Sequence, residues 1–285
     1  MSAATPYAAR RVSAVAGELG KLSAFLRRDF LTAWSYRAAF FTDAAALFLQ
    51  AVSFYFVGLM VNPEVLPSYG GERATYLEFV AVGIALSVFM HLGLGRVATA
   101  IRNEQVIGTL ESLLMTPTAT ATIQIGSVVY DAVYIPIRTA MFFAVIGIAF
   151  GLHFEASGFL PALLVLLAFI PFVWGLGIMS AAATLTFKRG TGGISFGVAI
   201  LTLGSGAYFP LDLLPAWAQT AAEANPLAIA IDSMRNALLG GTGWSGIGQT
   251  LLLLVPLSAL SLWFGFFAFR TALRRERRRG SLGLY

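Results

Sequence analysis

Long apolar runs alternate with short charged stretches along this chain, and the longest runs have the length of membrane spans. A hydrocarbon core of about 30 Å needs roughly 20 helical residues at 1.5 Å each. The pattern therefore predicts an all-α integral membrane protein with six transmembrane helices. The predicted spans are Phe40–Val61, Tyr76–Gly95, Ile123–Gly151, Leu160–Phe187, Thr191–Tyr208 and Ile247–Phe269.

An amphipathic helix is predicted ahead of the first span, over Glu18–Arg37. Large apolar side chains recur at helical spacing along one face, and charged side chains occupy the other faces. A helix of this kind lies in the membrane interface. We therefore expect residues 1–39 to form a cytoplasmic N-terminal region that contains an interfacial helix. The apolar face comprises Leu19, Leu22, Leu26, Phe30 and Trp34.

The stretch from residue 210 to residue 241 is rich in apolar side chains but does not fit a span, because it carries Glu223, Asp232 and Arg235. Each charge at the centre of a bilayer costs about 2.5 to 3.5 kcal/mol on the insertion scale. We therefore predict that this stretch enters the outer leaflet as a re-entrant hairpin before the last span. Its two short helices are predicted as Leu213–Ala224 and Pro226–Leu239.

Composition agrees with a membrane domain, and the positions of the charges orient it. Of the 285 residues, 58% are hydrophobic and 12% are charged, against about 45–50% and about 25% in soluble domains. Sixteen of the nineteen Lys and Arg residues flank the spans on one side, which the positive-inside rule makes the cytoplasmic side. Both termini, including the basic tail at 270–285, are therefore expected in the cytoplasm. We expect the tail to act as an orientation signal beside anionic lipid. We do not expect it to bind nucleic acid.

The sequence contains no motif for catalysis or for nucleotide binding. Gly17–Ser23 reads G-E-L-G-K-L-S, which lacks the spacing of the phosphate loop G-x-x-x-x-G-K-[ST]. His91 and His153 are the only histidines and cysteine is absent, so zinc motifs and disulfides are excluded. We therefore expect no cofactor and no metal in this chain. The transmembrane domain is predicted over residues 40–269.

A few polar and aromatic side chains within the predicted spans are candidates for a pathway or for helix pairing. Asp131 and Arg138 are seven residues apart, so both lie on one face of the third span. We expect them to be partnered, either with each other or with a neighbouring helix. Phe54, Phe56 and His91 either line a path or pack against lipid and other helices.

Two motifs carry a resemblance to a known family. The segment at 102–117, after the second span, reads R-N-E-Q-V-I-G-T-L-E-S-L-L-M-T-P. The stretch before the last span contains P-L-D-L-L-P-A-W and then N-P-L. Together with the order of the elements, these motifs resemble the permease subunits of ATP-binding cassette type 2 exporters, which include drug, polysaccharide and lipid exporters.

The resemblance implies a homodimer of this chain bound to two copies of a separate ATPase, which would bind ATP and magnesium. Residues 102–117 would then form a coupling helix that docks on the ATPase, and spans one, two and five would line the path in the plasma (inner) membrane. The coupling residues would be Glu104, Gly108, Thr109, Leu110, Glu111, Leu114 and Pro117. An outer gate would be formed by Pro210, Asp212, Pro215, Trp217, Asn225, Pro226 and Arg235.

Two other classes of protein stay open from the sequence. A self-sufficient secondary transporter would show matching broken helices in two inverted halves, and spans one to three do not match spans four to six in this way. An intramembrane enzyme would need several polar groups at one depth. The expected substrate of the exporter is a hydrophobic or amphipathic compound, a lipid or a lipid-linked glycan.

Overall fold

The structure, a computed structural model, is almost entirely helical and describes residues 6–107, 120–126, 128–187, 191–240, 244 and 246–279. The nearly all-α class is confirmed. Two short strands, β1 (Ser68–Tyr69) and β2 (Glu72–Arg73), pair antiparallel. The helices of the described residues are α1 (Pro6–Ser35), α2 (Arg37–Gly58), α3 (Tyr76–Ile107), α4 (Thr120–Gly126), α5 (Asp131–Phe150), α6 (Phe159–Phe187), α7 (Thr191–Leu203), α8 (Ala216–Glu223), α9 (Pro226–Leu239) and α10 (Ile247–Arg279).

Five segments of the described residues are long and apolar enough to cross a membrane, as expected of a membrane protein. They correspond to the first, second, third, fourth and sixth predicted spans. The third differs in detail, because Val128–Tyr130 forms a turn between α4 and α5 and Asp131 N–H donates to the Val128 carbonyl over 2.9 Å. The five segments are Phe41–Gly58, Tyr76–Ala100, Thr122–Phe150, Ala156–Phe187 and Ile247–Glu276.

The fifth predicted span is shorter than expected, because α7 ends at Leu203. Its 13 residues reach about 20 Å, less than a hydrocarbon core. Ser205 Oγ donates to the Thr202 carbonyl over 2.7 Å, and Gly206 follows with a left-handed φ of 67°. Both features stop the helix where the apolar pattern alone would continue it.

Helices α3 and α6 form the centre of the bundle, and α10 packs along α6 through small side chains. Ser258 and Ser261 of α10 donate to the carbonyls of Ala168 and Phe172 over 2.7 and 2.8 Å. A Cβ atom added at Gly265 would lie 2.7 Å from the carbonyl oxygen of Gly175. This close approach of two backbones is typical of helix pairs in membranes.

Helix α1 is longer than predicted and leads almost directly into α2. It begins at Pro6, ahead of the predicted Glu18, and Tyr36 alone separates it from α2. Its Phe25 ring fills the space beside Gly126 at the end of α4, where an added Cβ would collide with the ring. The interfacial segment is thereby held against α4.

One end of the bundle collects the irregular segments, and we call it the hairpin end. Here Tyr76, at the start of α3, donates its hydroxyl to the Tyr208 carbonyl over 3.0 Å. Glu155 N–H, just before α6, donates to the Leu238 carbonyl over 2.8 Å. The segments after α2, α5 and α7 therefore meet the hairpin formed by α8 and α9.

Candidate functional site

Asn225 separates the two helices of the hairpin and fixes their junction to α7. Its Oδ1 accepts from Leu227 N–H over 3.0 Å, which caps α9, and Pro226 occupies the first helical position. Its Nδ2 donates to the Leu201 carbonyl over 2.7 Å. Helix α9 has the predicted bounds, whereas α8 begins at Ala216 because Leu211–Leu213 forms a separate 3₁₀ turn.

Arg235 is 4% exposed and ties α9 to two other elements. Its Nε donates to the Phe79 carbonyl over 2.9 Å, and its Nη2 donates to the carbonyls of Gly206 and Ala207 over 2.9 and 3.1 Å. The guanidinium carbon lies 3.6 Å from the centre of the Phe79 ring, a cation–π contact. Arg235 therefore clamps α9 onto α3 and onto the turn after α7.

The clamp extends to the β-hairpin through Tyr69. Burial raises the pKa of the Tyr69 hydroxyl, and the hydrogen-bonded Arg235 guanidinium opposes that rise. A pKa already near 10 moves further from neutrality, so the phenol stays protonated at physiological pH. Its role beside Arg235 is that of a neutral hydrogen-bonding group.

The predicted gate residues fall into two groups in the structure. Pro210, Asn225, Pro226 and Arg235 are buried against the bundle. The other group is exposed and consists of Asp212, Pro215 and Trp217, whose side chain is 76% exposed. The hairpin thus combines an anchored helix, α9, with an exposed arm that runs from residue 211 to residue 224.

The two phenylalanines predicted near the path point in different directions. Phe54 stacks on Tyr208 with ring centres 5.5 Å apart and also faces Tyr76. Phe56 is exposed on α2. Phe54 therefore packs α2 against the hairpin end, while Phe56 is available to lipid or to another chain.

His91 lies on the surface of α3. Its Nδ1 is 2.8 Å from the Ser87 carbonyl one turn earlier. Since a carbonyl only accepts, this contact assigns the proton to Nδ1. His91 is thus bonded to its own helix.

Asp131 is partnered by a neighbouring helix, which was one of the two options open from the sequence. Its Oδ1 lies 3.2 Å from Nη1 of Arg96 on α3. The sequence offered a hint, because both residues lie toward the cytoplasmic ends of consecutive predicted spans. Arg138, the other option, is buried nearby on α5, and its Nε has no hydrogen-bond partner among the described residues.

The predicted coupling helix lies largely outside the described residues. Helix α3 continues to Ile107, so Glu104 stands in its last turns, although its side chain is not described. The coupling residues outside the described ranges are Gly108, Thr109, Leu110, Glu111, Leu114 and Pro117. Among the described residues, no three His, Asp or Glu side chains are grouped so that they could hold a metal ion.

The chain matches a known protein family. A family model described as "ABC-2 type transporter" matches residues 20–239. The matched region runs from the interfacial helix to the end of α9, and so includes both motifs that carry the resemblance. No curated protein matches the chain.

Proposed function

This chain belongs to the ABC-2 type transporter family, and from that membership we propose that it is the membrane-spanning permease subunit of an ATP-driven exporter. Membership makes it a transporter permease and not itself a catalyst. Export by two copies of the chain, powered by a separate ATPase, is the further step that we propose. The single observation that carries it is the family match over 220 residues (20 to 239) in a sequence without a phosphate-loop motif.

The geometry around the predicted coupling helix supports docking to an ATPase. Helix α3 runs from the hairpin end at Tyr76 to Ile107, and so includes the first residues of that segment. The ion pair between Arg96 and Asp131 joins the helices that lead into and out of it. Phe25 of α1 contacts Gly126 on the outgoing side. A displacement of the segment by the ATPase would therefore be transmitted to α3, α5 and the interfacial helix together.

Co-purification with an ABC ATPase tests the function, and Glu111→Lys tests the docking site. We expect the wild-type chain to co-purify with an ATPase whose ATP turnover changes on association. Reversing the charge of a desolvated contact costs a few kcal/mol, so Glu111→Lys should lose the ATPase and transport while inserting normally. Glu64→Lys, in an exposed loop at the hairpin end, is the matched control and should retain both. Equal ATPase recovery with both variants would exclude Glu111 as a contact.

We propose six spans, with α7 and the segment after it forming the fifth crossing. Helix α7 is too short alone, but Ser205, Gly206, Ala207 and Pro210 of the following segment are all buried. Irregular backbone at membrane depth is tolerated where protein covers it. The crossing places both termini in the cytoplasm and the hairpin in the outer leaflet of the plasma membrane.

Labelling of single cysteines tests this topology, since the chain contains no cysteine of its own. We expect Ser68→Cys and Ser245→Cys to react with a membrane-impermeant maleimide in intact cells. Thr116→Cys and Ser281→Cys should react only after permeabilisation. Labelling of Thr116→Cys in intact cells would reverse the proposed orientation.

We propose that two copies of the chain enclose the path between their α2, α3 and α7 helices. Two of these helices present apolar side chains outward. On α2, Phe41, Leu49 and Phe56 are exposed, and on α7, Phe196 and Ile200 are exposed. A hydrophobic or amphipathic substrate, a lipid or a lipid-linked glycan suits such walls.

We propose further that the exposed arm at 211–224 is the outer gate. Helix α9 is held by Arg235 and Asn225, so it moves with α3 and α7. The arm has few buried side chains and is free to follow a displacement of the spans. In a dimer, two such arms would meet above the path.

A further inference from the structure

Arg138 differs from Arg96 and Arg235, two other arginines on the described helices. Arg96 is paired with Asp131, and Arg235 donates to three carbonyl oxygens. The Arg138 side chain, in a residue 9% exposed, has no ion pair or hydrogen bond among the described residues, and its Nε is buried. The guanidinium is a cation with five donors, and no carboxylate of the described residues pairs with it.

Within the described part of the chain Arg138 forms no ion pair and no hydrogen bond, although the Tyr134 phenol, one turn earlier on α5, lies close enough to interact with its charge. Leu47 of α2, Phe89 of α3 and Phe142 of α5 line the cavity beside it. The volume is about 10 Å³, at the lower limit of what one water molecule occupies. Asp43, one turn before Leu47 on α2, is exposed and forms no ion pair with Arg138. Apolar side chains and the Tyr134 phenol therefore surround a cation that has no ion pair among the described residues.

Helix α2, which contributes Leu47 to the cavity beside Arg138, has few contacts with the rest of the described chain. In the apolar segment of α2, 11% of the residues are buried, against 72% in α3. A small outward movement of α2 would therefore break few contacts within the chain and would uncover the guanidinium. Arg138 and α2 line the same cavity beside α5.

A larger apolar groove lies on the adjacent flank of α5. Its volume is about 440 Å³, within the range of small-molecule sites. Thr139, the neighbour of Arg138, lines both the groove and the cavity. The remaining walls come from α5, α6 and α9, and include Phe143, Leu163, Leu166 and Met234.

We propose that Arg138 is the anion-binding subsite of a site for an amphipathic ligand. The guanidinium would hold a phosphate or carboxylate group through two parallel hydrogen bonds, and the apolar groove would hold the chain or ring system attached to it. The proposal rests on the proposed function in one respect: it identifies this anionic amphiphile as the class of compound exported. A resident anionic lipid offers the same chemistry, so the experiment separates the two sources.

Ligand binding to the full-length chain in detergent, followed by native mass spectrometry, tests the subsite. The probes are dioctanoyl phosphatidate and its uncharged counterpart dioctanoylglycerol. We expect phosphatidate to bind at least about tenfold more tightly, which is the effect of one charge-assisted contact. Arg138→Gln should abolish that preference, Arg138→Lys should keep part of it, and Asp43→Asn, the matched control, should retain all of it. Equal phosphatidate binding by wild type and Arg138→Gln would overturn the proposal.

Thermal unfolding separates a binding role from a structural one. Because Arg138 has no ion pair or hydrogen bond to lose among the described residues, Arg138→Gln should unfold at the same temperature as the wild type or higher. Loss of binding together with a lower unfolding temperature would mean that Arg138 supports the fold, and would overturn the subsite. Both measurements use the permease alone, so their outcome is independent of whether an ATPase co-purifies.

A third arm distinguishes the exported compound from a resident lipid. The chain and its ATPase are reconstituted in phosphatidylcholine vesicles that contain a fluorescent short-chain phosphatidate. Depletion of the probe from one leaflet on addition of ATP, absent in Arg138→Gln, supports the assignment of the substrate class. An unchanged distribution with active ATPase would overturn that assignment.

Discussion

Replacing Arg235 with glutamine is expected to lower the free energy of unfolding by about 3 kcal/mol, since each buried acceptor left without a donor costs about 1 to 3 kcal/mol. Three such acceptors lose their donor, on Phe79, Gly206 and Ala207. Removal of the buried charge of Arg235 offsets part of this loss of stability. The expected loss therefore lies near the lower end of the range that three unsatisfied acceptors would give. Thermal unfolding of the purified chain in detergent measures the change.

The control for Arg235 is Arg73→Gln, because Arg73 is an exposed arginine at the same end of the bundle. Exposed substitutions of this kind change stability by less than about 0.5 kcal/mol. Arg235→Lys should be intermediate, since an ammonium cannot copy the planar fork that reaches three carbonyls. If Arg235→Gln and Arg73→Gln unfold at the same temperature, apolar packing alone holds α9 in place and the Arg235 hydrogen bonds are unimportant for stability.

The parts of the fold that could be predicted are those set by local pattern. Helix α9 has the predicted bounds because Asn225–Pro226 starts a helix by its own chemistry. The long spans follow from apolar length. The early end of α7 was not predictable from hydropathy, because Ser205, which bonds back to Thr202, and the left-handed Gly206 interrupt an apolar run.

The contacts between helices were harder to predict from the sequence than the positions of the helices. Gly193 and Gly197 are four residues apart on α7, yet an added Cβ at either would meet no atom of the described chain within 4 Å. Gly175 and Gly265 have no such spacing, yet the backbones of α6 and α10 approach closely there. Small residues permit contact anywhere they occur, and only the three-dimensional arrangement selects the ones that are used.

The candidate site was predictable as a set of residues but not as a set of contacts. Arg235 was expected to contribute a polar group to a gate, yet its acceptors are backbone carbonyls, which every residue carries and no pattern distinguishes. Arg96 is one of the sixteen basic residues used to orient the chain, and nothing in the sequence identifies it as the partner of Asp131. Pairing across helices depends on their relative depth and rotation, which the sequence does not state.

Linking the two hairpins of a dimer through Ala224→Cys is expected to stop export, with a fall of more than about tenfold that reductant reverses, as for a lid held shut. Ala224 is exposed between α8 and the anchored Asn225, so a cysteine there is accessible without disturbing Arg235. Apposed arms must separate for a substrate to leave, and a disulfide there prevents the separation. Export is measured in vesicles before and after oxidation.

Ser68→Cys provides the matched control, because Ser68 is exposed in the β-hairpin at the same end of the bundle but lies outside the arm. Oxidation of that variant should leave export unchanged. Should crosslinked Ala224→Cys dimers export as fast as reduced ones, the arm would be a passive cover and the gate would lie deeper, among α2, α3 and α7. Since Asn225 ties the base of the arm to the end of α7, movement of α7 relative to its copy would then suffice to open the path beneath a stationary arm.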